Sequence, residues 1–213
     1  MSSVAIVDYG MGNLHSIAKA VQKASPLSRV LLTDDPKTIL SSDRVIFPGV
    51  GAARDCMRAL NERDLPDVLA KVSKTRPLLG ICLGMQVLLD RSEENAGTSC
   101  LGILSGDVVR FAPSLRDKTG NPLKIPHMGW NRVNPVMEHP IWLDIPMGSW
   151  FYFVHSYYVC PTNEGIVSAT TDYPEAFACA LSSENIVAVQ FHPEKSQKMG
   201  LQLLGNFMQW QPG

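Results

Sequence analysis

In the first half of the chain, short runs of consecutive apolar residues alternate with stretches whose apolar positions recur three and four residues apart. Val4–Asp8 is a β-rich run, followed by the turn Tyr9-Gly10-Met11-Gly12-Asn13. Leu14–Ala24 then places Leu14, Ile17, Ala18, Val21 and Ala24 near helical spacing, with Pro26 just beyond as a stop. Arg29–Leu32 reads as a second strand. A short helix opens at Pro36, behind the cap candidates Asp34 and Asp35, and runs to about Ser41. Arg44–Phe47 is a third strand, ending at Pro48-Gly49-Val50-Gly51. Helices are predicted over Ala53–Asn61 and Leu65–Lys74, and Leu78–Ile81 is a fourth strand. Strands separated by helices imply an α/β fold: an open, mostly parallel twisted sheet with helices on both faces.

From about Cys100 the pattern changes to short strands, turns and prolines, which predicts an antiparallel extension. Candidate strands are Gly106–Phe111, Trp150–Val159, Ile166–Thr171, Ala176–Ala180 and Ile186–Gln190, and Ser114–Pro122 reads as an exposed hairpin loop. Gln197–Trp210 closes the chain as an amphipathic helix carrying Met199, Leu203, Leu204, Phe207 and Trp210. With no repeat, low-complexity tract or linker in 213 residues, one domain spanning residues 1–213 is the economical expectation.

Composition adds exclusions. Hydrophobic content of 45% and charged content of 18% are those of a soluble globular protein. A net charge of −1 without any Lys/Arg run offers nucleic acid no electrostatic footprint. The run Val4–Val7 is too short for a signal-peptide core or a membrane span. Five scattered cysteines (Cys56, Cys82, Cys100, Cys160, Cys179) without a C-x-x-C argue for a reducing compartment, the cytoplasm by default. The histidines show neither H-x-H nor H-E-x-x-H spacing, so no metal is assigned. Gly10-Met11-Gly12 begins a dinucleotide fingerprint, but its third glycine position falls on His15, and a turn is the better reading.

The candidate chemistry centres on Gly80-Ile81-Cys82-Leu83-Gly84. A thiol between two glycines, after a strand and before Met85-Gln86-Val87-Leu88-Leu89, which can continue as a helix, has the strand–turn–helix layout of a nucleophile elbow. A helix N-terminus there favours thiolate over thiol. The alternative at this point is a buried structural cysteine in a glycine-rich turn. A reactive cysteine needs a base, and His192-Pro193-Glu194 stands at the C-terminal edge of the last predicted strand, where Glu194 can fold back onto the imidazole. Cys82, His192 and Glu194 then form a nucleophile–base–orienter set drawn from two strand ends. Oxyanion donors are expected from the N–H of Leu83 and from the loop Gly49-Val50-Gly51.

Those three motifs, with Gly84-Met85-Gln86, resemble class I (triad) glutamine amidotransferases. Asp8-Tyr9-Gly10-Met11-Gly12-Asn13-Leu14, His127-Met128-Gly129-Trp130-Asn131 and Phe151-Tyr152-Phe153-Val154-His155-Ser156-Tyr157 are similar to the branch of glutaminase subunits of imidazole glycerol phosphate synthase. The resemblance implies a flavodoxin-like fold and no cofactor. Cys82 would attack the side-chain amide of glutamine, His192 would protonate the departing ammonia, and Val50 and Leu83 would hold the oxyanion. Gly49, Gly51 and Gln86 would bind substrate. It further implies a (β/α)₈-barrel cyclase partner, in a heterodimer, that consumes the ammonia to make imidazole glycerol phosphate and AICAR in histidine biosynthesis. Asn13, Trp130, Asn131, Tyr152 and Lys195 would face that partner. Rival readings are the glutaminase subunit of pyridoxal phosphate synthase, a γ-glutamyl hydrolase acting alone, and a non-catalytic regulatory subunit of the same fold.

Overall fold

A computed structural model describes residues 2–117 and 119–212; Met1, Lys118 and Gly213, and with Lys118 the tip of the expected loop Ser114–Pro122, lie outside the described residues. The first half runs β1 (Ser3–Val7), α1 (Leu14–Ala24), β2 (Arg29–Thr33), α2 (Pro36–Ser41), β3 (Arg44–Gly49), α3 (Ala53–Asn61), α4 (Leu65–Thr75), β4 (Leu78–Cys82) and α5 (Leu83–Gln86). The second half adds β5 (Arg91–Ser92), β6 (Thr98–Ser99), β7 (Gly106–Arg110), β8 (His127–Pro135), β9 (Ser149–His155), β10 (Tyr157–Pro161), β11 (Val167–Asp172), β12 (Ala176–Ser183), β13 (Ile186–Val189) and α6 (Gln197–Gln209).

β2, β1, β3, β4 and β13 pair in that order, all parallel, and β12 then begins the antiparallel part. Alternation along the parallel strands sends Val4, Ile6, Ile46, Leu79, Ile81, Val187 and Val189 into a core that includes residues of α1 and α6. Their neighbours Ala5, Val7, Val45, Phe47, Leu78, Ile186 and Ala188 enter a second core with residues of α3 and α4. Strands buried on both faces read as continuous apolar runs, which is why the first half was legible as parallel α/β. Among the described residues no helix is long and apolar enough to cross a membrane.

Several elements differ from expectation, among them the short strands β5 and β6, which the sequence pattern did not announce. The helix expected over 85–89 stops after one turn, because α5 ends at Gln86 and residues 87–90 turn away. The predicted strand Trp150–Val159 is two strands, broken at Ser156: β9 pairs with β8, and β10 pairs with β7 and β12. β8 itself was not expected as a strand.

β8 and β9 form an antiparallel pair in which His127 stands opposite His155 and Trp130 opposite Tyr152. The inner face carries His127, Phe151, Phe153 and His155, all buried. His155 Nδ1–H donates to the Tyr157 carbonyl at 2.8 Å, so its Nε2 accepts from His127 Nδ1–H at 2.9 Å, and His127 Nε2 accepts from Asn131 Nδ2 at 3.1 Å. Each ring is therefore neutral and locked in one tautomer. Burial lowers His127 to a pKa of about 4. Burial also lowers His155, to about 3, with the neighbouring His127 and His192 acting in the same direction against its bond to Tyr157.

Both folded-state values lie below the ordinary 6.5, so unfolding takes up protons between those limits and stability falls as pH drops through that window. Replacing both residues by Gln is expected to remove up to about two protons of uptake. The pH dependence of the urea-unfolding free energy between about 6.5 and 4 should then flatten by up to about 2.7 kcal/mol per pH unit. An unaltered slope would mean that the native pair already carries charge.

Candidate active site

The carboxyl ends of β3, β4 and β13 converge at one edge of the sheet. In register, Gly49 stands beside Cys82 and Val189 beside Ile81, so Gln190 follows next to Cys82 and His192 two residues further on. Cys82 has φ 54° and ψ −112°, a strained conformation for a residue with a side chain. The strain is imposed by close packing of backbones. A Cβ on Gly84 would land on the Phe47 carbonyl oxygen, and one on Gly49 would lie 2.8 Å from Tyr9 Oη and 2.9 Å from Gly84 N. Tyr9 Oη in turn donates to the Pro48 carbonyl at 2.8 Å, pinning the start of the Gly49-Val50-Gly51 loop.

His192 is fixed from three sides. Its N–H donates to the Tyr152 carbonyl at 2.9 Å, Ser196 Oγ donates to its carbonyl at 2.6 Å, and its Nδ1–H donates to Glu194 Oε1 at 2.8 Å. The two side chains are only 3% and 1% exposed, so Glu194 acts on the imidazole in a region of low dielectric. Burial alone would lower the imidazole pKa; the sulfur of Cys82 and the carboxylate of Glu194 outweigh it and lift it to about 10. Both groups therefore favour the protonated imidazole. Its Nε2 and Glu194 Oε2 have no hydrogen-bond partner of ordinary geometry among the described residues.

Cys82 Sγ accepts from Gln190 Nε2 at 3.6 Å and lies 4.0 Å from the Val154 carbonyl. Gln86 Nε2 donates to the Tyr157 carbonyl and to Gln190 Oε1, both at 2.9 Å. The expected helix N-terminus does stand at the sulfur, since Cys82 is the N-cap of α5, but α5 is a single turn and its dipole is correspondingly small beside the direct donor Gln190. Burial raises the other thiols, Cys56 to about 12 and Cys100 to about 11.

A cleft of about 340 Å³ opens over the sulfur. Val50, Gly51, Leu83, Gln86, His192 and Lys195, all expected from sequence, line it. Gly49 sits behind them as a buried strand end, and Glu194 stands behind His192. Sequence reasoning missed Gln190, His155 and Tyr157 as individual contributors, although the period-two burial of residues 151, 153 and 155 marks His155 as inward-facing. It also missed Glu94, a cleft residue whose Oε2 accepts from Ala53 N at 2.7 Å at the start of α3. No group of three or more His, Cys, Asp or Glu side chains placed to hold a metal occurs among the described residues.

The five expected partner-facing residues divide. Trp130, 43% exposed, meets Tyr152 edge-on at 6.1 Å between ring centroids, and Lys195 Nζ lies 5.6 Å from the Tyr152 ring centroid. Asn13 is exposed at the N-cap of α1. Asn131 points to the opposite face from Trp130: its Nδ2 donates to His127 and to the Asp172 carbonyl, and its Oδ1 accepts from Arg132 N. The structure groups Trp130, Tyr152 and Lys195 and leaves Asn131 supporting the inner face of the β8–β9 pair.

Known proteins resemble the chain along its whole length. The chain is 59% identical to imidazole glycerol phosphate synthase subunit HisH of Methylococcus capsulatus, across all of this chain and 98% of that protein. It is 53% identical to the subunit of the same name from Thiobacillus denitrificans, over 99% of this chain and 92% of that one. Among solved structures, PurLQS from Thermotoga maritima superposes with a TM-score of 0.70 at 14% identity, covering 98% of each chain. A glutamine amidotransferase from the same organism gives 0.59 at 17% identity, over 91% of this chain and 76% of that one; both likenesses concern the fold. The family model for glutamine amidotransferase class-I matches residues 5–210, and with relatives of such identity along its whole length the chain belongs to the class-I glutamine amidotransferases, in the branch of HisH subunits.

Proposed function

We propose that the chain is the glutaminase subunit of imidazole glycerol phosphate synthase, with Cys82, His192 and Glu194 as its catalytic set. The observation that carries this reading is the convergence of a strained cysteine with a buried His–Glu pair at one sheet edge, in a chain of the HisH branch. Cys82 Sγ attacks the side-chain carbonyl carbon of glutamine, and the negative charge that forms on oxygen is met by the N–H groups of Leu83 and Val50. Imidazolium at His192 gives its proton to the departing nitrogen, ammonia leaves, and a γ-glutamyl thioester remains on Cys82. His192, now neutral, takes a proton from water as the water attacks the thioester, and collapse of the adduct releases glutamate and leaves Cys82 as thiolate beside the imidazolium. Glu194 holds the imidazole by Nδ1 throughout. Both N–H groups of Gln86 are committed to Tyr157 and Gln190, so Gln86 offers a ligand only its acceptor oxygen, suited to an ammonium or amide N–H of glutamine.

Ammonia released into neutral water is protonated and loses its nucleophilicity, so the product has to pass directly to an acceptor site. A (β/α)₈-barrel cyclase subunit is the proposed consumer, forming imidazole glycerol phosphate and AICAR in the cytoplasm. The β8–β9 outer face, with Met128, Trp130 and Trp150 exposed beside Tyr152 and Lys195, is the proposed docking surface.

Cys82→Ala is expected to abolish glutamine hydrolysis while the assembled complex still makes product from added ammonium salts; loss of both would separate Cys82 from this division of labour. Glutamine hydrolysis by the wild-type chain should rise sharply when the cyclase and its ligand are supplied. A full rate from the chain alone would favour a free-standing hydrolase. Trp130→Ala and Tyr152→Ala are each expected to weaken cyclase binding by about tenfold or more, read as Kd in a titration. Unchanged affinity in both variants would move the interface elsewhere.

A further inference from the structure

The triad accounts for the base and the orienter, but not for the polarity of the buried amides around the sulfur. Gln190 is fully buried and Gln86 nearly so, and neither side chain belongs to an apolar packing layer. They form a hydrogen-bonded line whose direction follows from one fixed point. The Tyr157 carbonyl can only accept, so the Gln86 atom 2.9 Å from it must be the nitrogen. That same nitrogen lies 2.9 Å from the Gln190 side chain, so the facing atom of Gln190 must be its oxygen. The Gln190 NH₂ group is thereby turned to Cys82 Sγ, 3.6 Å away. Rotating Gln190 by half a turn would set NH₂ against NH₂ and oxygen against sulfur, losing both contacts.

The same carbonyl receives His155 Nδ1–H, which fixes the neutral tautomers of His155 and His127 and connects the line to Asn131 in β8. A continuous set of hydrogen bonds therefore runs from the β8–β9 pair to the nucleophile. We propose that Gln190 is a catalytic residue of this site: its side-chain N–H, aimed by Gln86 and the Tyr157 carbonyl, stabilises the Cys82 thiolate. The backbone of β13 reinforces the placement, since Gln190 N donates to the Cys179 carbonyl at 2.9 Å and holds the residue in line with the strand.

Other groups act on the same sulfur. His192 stabilises its negative charge, and Lys195, across the cleft, has the same sign. Glu94 and the Val154 carbonyl oppose it, the latter lying where a thiol S–H would point; His155 is neutral and Tyr9 remains a phenol, held so by burial. Among these, Gln190 is the uncharged side-chain donor in direct contact with the sulfur, and its effect persists whether or not His192 has given up its proton.

The inference rests on the glutaminase reading for its kinetic consequence only, since thiol reactivity is measurable without glutamine. Gln190→Met keeps length and removes the donor; Gln190→Glu keeps shape and an acceptor for Gln86 while setting a carboxylate against the sulfur. Alkylation of Cys82 by iodoacetamide at fixed pH, followed by mass spectrometry of the peptide that contains it, is expected to slow by about tenfold or more in both variants. The kcat for glutamine in the complex with the cyclase should fall alongside, with ammonia-driven synthesis retained. Alkylation at the wild-type rate in either folded variant overturns the proposal. If neither variant folds, the wild-type chain labelled with ¹⁵N decides: the Gln190 side-chain amide resonances should shift when Cys82 is alkylated, and unmoved resonances overturn it. A wild-type complex that alkylates readily at Cys82 but hydrolyses no glutamine refutes the glutaminase reading instead.

Discussion

The site depends on a contact between two backbones. The chain after Cys82 passes so close to the Phe47 carbonyl that only glycine fits at position 84, and the end of β3 passes so close to Tyr9 and the elbow that only glycine fits at 49. That proximity holds Cys82 at φ 54°, ψ −112°, a conformation that costs on the order of 1–3 kcal/mol and persists only where its surroundings over-determine it. The parallel register between β3 and β4, with Gly49 beside Cys82, supplies the determination and brings the Gly49-Val50-Gly51 loop to the thiol. The register between β4 and β13 brings Gln190 and then His192 to its other side. Cys82, the Gly49-Val50-Gly51 loop and His192 are thus neighbours because three parallel strands end at one level, in a sheet whose two cores admit no slip of register.

Much of this was legible from residues alone. Consecutive apolar runs announced the parallel strands, because burial on both faces leaves no polar positions to blur them. Glycines at 80 and 84 and the sequence His192-Pro193-Glu194 marked the two strand ends whose convergence matters. β8 was illegible for a specific reason: its pattern is inverted. The inner positions are His127, Gly129 and Asn131, whereas Met128 and Trp130 face outward, so hydrophobic alternation points the wrong way. The apolar run after Cys82 misled in the other direction. Met85, Val87, Leu88 and Leu89 are all buried, as a helix in a core would have them, but only Met85 lies in α5 and the other three are buried in a turn that leads to β5. Periodicity cannot separate those cases over five residues.

The shortness of α5 changes where the electrostatics of the thiol come from. A long helix would supply a diffuse positive end; one turn supplies little, and the sulfur meets discrete groups instead: Gln190 just past β13, the Val154 carbonyl of β9 and His192. Discrete groups can be positioned by other discrete groups, which a dipole cannot. Ser196 ties the His192 carbonyl to Tyr152, the outer-face residue that meets Trp130 and Lys195, so the base and the proposed docking face share a backbone hydrogen bond.

In the proposed reaction His192 serves as acid in one half and base in the other, and the opposing influences on its imidazole bear on how one ring could do both. Burial pulls the value down; the sulfur and Glu194 push it up to about 10. The contribution of the sulfur exists only while the sulfur is free to hold charge. Once the thioester forms, sulfur is neutral and bonded to carbon, and the opposing effect of burial is left against Glu194 alone. The proton lost to the departing nitrogen is then not held back as strongly, and the neutral ring is poised to accept one from water. In that scheme hydrolysis expels Cys82 as thiolate, which restores the charge beside the imidazole and leaves His192 protonated. In the proposed cycle the covalent state of Cys82 thus sets the direction of proton transfer at His192.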